Sequence, residues 1–184
     1  GVQTCALPIS DECKPIDPTA FGLFFVALVS LPIALACIFS YAGIENDITK
    51  GSNLGGLLML AAFFILIASL KAYKAESNFG FIVFGMVALG VFYAGWVGGD
   101  LYINLTLGIM YLIALIWSFR AKTLKTLTFI LLTTALIFIF GGIAANDGSA
   151  DSIWMLLKGI AALGNFVLTL YLAFALADEH IPCY

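Results

Sequence analysis

The sequence predicts an all-α integral membrane protein of six transmembrane helices, with both termini on the cytoplasmic side. Composition points there first: 62% of the 184 residues are apolar and 10% are charged, with a mean hydropathy of +1.09. A soluble domain carries roughly 25% charged residues, so the deficit decides the class. Length is the second observation, since six apolar windows approach the about 20 residues that a spanning helix needs. Third, the windows do not alternate polar with apolar, which argues against strands.

In order, the windows cover residues 20–40, 53–70, 79–97, 101–119, 124–144 and 153–177. The first opens well, because Asp17 suits a helix cap and Pro18 a first helical position, where its missing donor costs nothing. No charge interrupts the run from Phe21 to Phe39. The second and fourth windows are the short ones. In the third, glycines stand at 80, 85, 90 and 95. Steps of five residues turn about 140° each, so these glycines circle the helix. They predict a centrally placed helix packed closely on several neighbours, or a widened lumen. Asp100 follows Gly98-Gly99 and predicts a tight turn with a helix cap. Lys158, inside the last window, either snorkels outward or draws an anion towards a pore mouth.

Orientation follows the basic residues. Lys14, Lys71, Lys74, Arg120, Lys122 and Lys125 fall on one side, against Lys50 and Lys158 on the other. The richer side is expected to be cytoplasmic. Residues 1–16 form an N-terminal tail, of which 1–9 read as a non-native leader to be set aside. Residues 17–179 form the six-helix transmembrane domain and 180–184 a C-terminal tail. The plasma membrane is the expected location, an organellar membrane the alternative.

Several function classes drop out. No basic cluster offers a phosphate footprint, so no nucleic acid is expected. Cys5, Cys13, Cys37 and Cys183 lack a Cys-x-x-Cys spacing and His180 has no ligand-spaced partner, so no metal is expected. No catalytic triad, zinc-protease motif or phosphate loop emerges, so neither an enzyme nor a cofactor is expected. What remains inside the windows is uncharged and polar: Ser30, Asn53, Ser69, Asn104, Thr106, Thr133, Thr134, Asn165 and Thr169. Hydrogen bonds between helices account for most of these, and the remainder suit a route for a small solute.

Three short runs carry a resemblance. Asp17-Pro18-Thr19-Ala20-Phe21-Gly22-Leu23 resembles the Asn-Pro-x-Pro-Leu-Gly-Leu signature of the acetate uptake transporter family, the bacterial succinate–acetate permeases and fungal acetate transporters. Asp17 stands where the family has Asn, and Ala20 where it has the second Pro. Tyr73-Lys74 with Ser77-Asn78-Phe79-Gly80 is similar to the family's Tyr-x-x-x-Asn-Thr-Phe-Gly run at its third helix. Tyr171-Leu172-Ala173 with Asp178-Glu179 is similar to its last-helix Tyr-x-Ala run and acidic end.

The resemblance implies a homo-hexamer in the bilayer, each protomer passing acetate and related short carboxylates, with succinate a further candidate. It implies either a proton-coupled permease or an anion channel. It also implies a hydrophobic constriction from the first, third and fifth helices, where the family has Phe, Tyr and Leu. Carrying the register forward puts its members at Val26, Val87 and Thr134, which predicts a wider or wetter narrowing. The motif residues Asp17, Pro18, Phe21, Gly22, Leu23, Asn78, Phe79 and Gly80 would then stand near the mouth of the path, with Lys158 and Tyr171 as further candidates. Two other readings stay open: a channel for a neutral solute such as urea, an amide or ammonia, and a non-transporting membrane subunit.

Overall fold

A computed structural model describes residues 18–44, 53–149 and 152–177. Among them run six helices: α1 (Pro18–Tyr41), α2 (Leu54–Lys74), α3 (Asn78–Trp96), α4 (Leu101–Ala121), α5 (Lys125–Asp147) and α6 (Ile153–Ala177). All six are long and apolar enough to cross a membrane, and no strand occurs among the described residues. The protein is an all-α integral membrane protein. Asp17, Cys5, Cys13, Cys183, His180, Lys14, Lys50, Asp178 and Glu179 lie outside the described residues.

Local chemistry sets the helix ends. α1 begins at Pro18. Asn53 accepts from the Gly56 amide at 2.9 Å, Ser77 from Gly80 at 3.3 Å, and Asp100 from Ile103 at 2.9 Å. These three caps satisfy amides that a helix start leaves without partners. α5 stops at Gly148, whose φ of +70° is a left-handed conformation that glycine adopts without strain.

Consecutive helices pack side by side and α6 closes on α1, giving a ring in chain order. Glycine makes the tight seams. A Cβ on Gly55 would lie 2.7 Å from the Gly95 oxygen, so α2 and α3 meet backbone to backbone. A Cβ on Gly159 would come 2.8 Å from Ile38, between α6 and α1, and one on Gly108 2.5 Å from Ile139, between α4 and α5. Such approaches associate helices in lipid, where burial of apolar surface supplies little drive. The α3–α4 seam is looser and bridged by large side chains instead. Tyr111 donates its hydroxyl to the Val83 carbonyl at 3.1 Å, and Phe79 stands edge-on to Trp117 at 5.0 Å.

α3 is therefore a stave of the wall, not the central helix that its glycines predict. Gly80, Gly85 and Gly95 all face α2, while Gly90 faces Phe138 and Leu107. A ring around a cavity has no central helix. Outward, Leu60, Phe63, Leu89, Ile109 and Ile113 are exposed, as lipid contact requires. Tyr41, Tyr73, Trp96, Tyr102 and Trp154 stand within the last or first turn of their helices, the depth at which amphipathic rings meet the headgroups.

Candidate functional site

The ring encloses two cavities. The larger, about 310 Å³, draws its lining from all six helices and lies towards the end where α1, α3 and α5 finish. The smaller, about 110 Å³, lies towards the end where those helices begin. Roughly 10–15 Å³ suffices for one water, so both have room for a small solute or several waters.

Three residues line both cavities: Val26, Val87 and Thr134. Each is 6% exposed. They come from α1, α3 and α5 and make up the wall, here the waist, that the two spaces share. Val87 stands midway along α3. The Thr134 hydroxyl donates to the Ile130 carbonyl at 2.7 Å and accepts from Asn165 Nδ2 at 2.7 Å, so the waist presents little free polarity. Aromatic bulk stands a turn away on each side. Phe84 and Tyr111 line the smaller cavity, Phe138 the larger, and the Tyr111 and Phe138 rings stack at 5.6 Å.

Polarity gathers on one side of this waist. Ser30, Thr134 and Asn165 line the larger cavity together, from α1, α5 and α6. Asn165 is 1% exposed and its Nδ2 also reaches Thr133 at 3.0 Å. Seven positions earlier on α6, about 10 Å along the helix, Lys158 lines the same cavity. It lies over Gly141, where a Cβ would come 3.4 Å from Nζ. No described carboxylate lines either cavity.

The other predicted residues divide. Leu23, Phe79 and Gly80 line the smaller cavity, whereas Phe21, Asn78 and Tyr171 line neither. Gly22 is a packing position: a Cβ there would lie 2.6 Å from Phe84 and 2.9 Å from Ala68. Phe21 meets Phe25 edge-on at 4.9 Å, and Asn78 is the exposed first residue of α3. Of the polar candidates, Ser69 bonds the Phe81 carbonyl across α2–α3 at 2.7 Å, while Thr106 and Thr169 bond carbonyls of their own helices. Sequence reasoning missed Tyr111, Phe84 and Phe138. A tyrosine in mid-window was the available signal for the first, because its hydroxyl needs a buried partner. Nothing distinguishes the two phenylalanines from lipid-facing ones.

Comparison with known proteins places this geometry. No family model matches the sequence, and no curated protein matches it. Among solved structures, the bacterial acetate channel SatP superposes with a TM-score of 0.70 over 91% of this chain and 98% of that one, at 17% identity. The chain shares the fold of that channel. At that identity the similarity is one of fold.

Proposed function

We propose that the protein carries acetate and related short carboxylates across the membrane, through the path that its two cavities form within each protomer. The observation that carries the reading is the meeting of those cavities at Val26, Val87 and Thr134 alone, in a ring built like an acetate channel. Val26 and Val87 give the waist an apolar face without the bulk of Phe or Tyr, which admits small solutes and extends to succinate. Leu23, Phe79 and Gly80 line the approach from the side of the termini. Lys158 draws anions into the larger cavity, because a lone cation at a mouth raises their local concentration. Both termini face the cytoplasm on the distribution of Lys and Arg, in the plasma membrane. Six such protomers form a hexamer, each with its own path.

Apolar lining favours a second reading, passage of a neutral solute such as urea. One measurement separates the two: uptake of acetate by purified protein in liposomes with a pH-sensitive dye inside, and urea efflux in parallel. Saturable acetate flux above protein-free vesicles, with none for urea, is expected. Urea flux alone would establish the neutral-solute channel. No flux of either solute, in folded protein, would make the chain a non-transporting subunit.

A further inference from the structure

Beside the turn that joins α4 to α5, the two helices leave an open groove of about 600 Å³. Each wall is one helix face. Leu115, Ser118 and Phe119 stand at i, i+3 and i+4 on α4, which ends in Lys122; Thr128, Phe129 and Leu132 repeat that order of types on α5, which begins at Lys125. Residues so spaced lie on one side of a helix. Phe119 is 67% exposed and Phe129 56%, so the groove opens outward to lipid. The spacing also sorts its chemistry by depth. A lysine stands at the mouth of each wall, and a leucine lies seven residues along, about 10 Å deeper. Between these levels Ser118 Oγ is hydrogen-bonded to Thr123 Oγ1 and, at 2.9 Å, to Thr128 Oγ1.

Charge at the mouth is one-sided. Lys122 and Lys125 are exposed, with Arg120 close by in the chain. Neither lysine forms an ion pair among the described residues. Of the described carboxylates, Asp100 and Asp147 stand at the opposite end of the bundle, and Glu76 alone shares this end.

We infer that this groove is a binding site for an anionic phospholipid, with the phosphate between Lys122 and Lys125 and one acyl chain along Leu115, Phe119, Phe129 and Leu132. Basic pockets between spanning helices at headgroup depth suit such lipids. A free phosphate would leave the apolar walls uncovered, and a neutral lipid would leave the two charges unanswered. A second copy of the chain matches the charge less well, since Glu76 is its one described carboxylate at this end. The site stands apart from both cavities of the path, and the inference holds whichever solute that path carries.

The test is native mass spectrometry of the full chain in detergent, equilibrated with equal amounts of phosphatidylglycerol and phosphatidylcholine of the same acyl chains. Phosphatidylglycerol is expected to be retained in preference. Lys122→Asn should cut that preference about fivefold, and adding Lys125→Gln should cut it about fivefold again, as for one cation lost near an anionic headgroup. Asn is chosen because residue 122 has a φ of +51°, a left-handed conformation that Asn accepts, so the fold is kept. Lys71→Gln with Lys74→Gln, at the same end but outside the groove, should leave the preference unchanged. Equal retention of the two lipids by the wild type would overturn the site, and so would an equal loss in the Lys71 and Lys74 pair. Displacement of phosphatidylglycerol by glycerol phosphate at the same concentration would also overturn it, because the acyl chain would then add nothing. A preference that survives the double variant would overturn it too; if the subunits come apart at the same time, the groove is an interface between copies.

Discussion

The two cavities are made of different material. The larger collects Ser30, Asn104, Lys158 and Asn165, whereas aromatic rings at Phe79, Phe84 and Tyr111 wall the smaller, with Ser77 at its mouth. Under the proposed transport, the larger would offer a solute hydrogen bonds and a charge, and the smaller mainly size and shape. Between them the waist belongs to both, and its Thr134 hydroxyl is tied back to α5 and α6. In that transport this arrangement would separate selection from passage, because polar groups that could hold a solute too tightly stand to one side of the waist.

The sharpest way to break that comparison is at the shared residues. Val87→Tyr should cut succinate uptake by liposomes more than tenfold and acetate uptake less, with expression spared, because it narrows both cavities at once. Unchanged selectivity would remove Val87 from the path. Away from the lining, Gly55→Ala sets a Cβ 2.7 Å from the Gly95 oxygen, which is backbone and cannot rotate aside. About 1–3 kcal/mol of stability should be lost, read as a lower midpoint of thermal unfolding in detergent. In the polar half alone, Lys158→Met should lower acetate uptake a few-fold in dilute buffer. That loss should shrink at 1 M salt, where the Debye length is about 3 Å against about 10 Å at 0.1 M. A loss that ignores salt would mean Lys158 acts by packing. The smallest effect is expected in the aromatic half. Tyr111→Phe removes the bond to the Val83 carbonyl and should cost about 0.5–1.5 kcal/mol in stability, with flux unaltered.

Legibility in the sequence also divides unevenly. The caps were readable, because Asp100 beside Gly98-Gly99 has one obvious use and the structure shows it bonded to Ile103. Register carried from two glycine-bearing motifs pointed to Val26 and Val87, with the third member near Thr134; all three line both cavities, and their role as a constriction belongs to the proposal. Thr134 had no motif in its own helix to pin it. By contrast, the glycines of α3 suggested a central helix and proved to face mainly α2. Asn165 was one polar residue among nine, and its partners Ser30, Thr133 and Thr134 lie on two other helices. Phe138 and Phe84 gave no signal, since in a helix apolar all round a lumen-facing phenylalanine looks like a lipid-facing one.

By itself the sequence determined how many times the chain crosses the membrane and that it does so as helices. Apolar length sets the span, and a backbone in hydrocarbon must bond within its own segment. Tertiary structure alone decided which faces look inward. Lipid and lumen wall are both apolar here, so hydropathy cannot tell them apart. Glycine seams such as Gly55 on Gly95, and the reach of Asn165 to α1 and α5, turn each helix to its place in the ring.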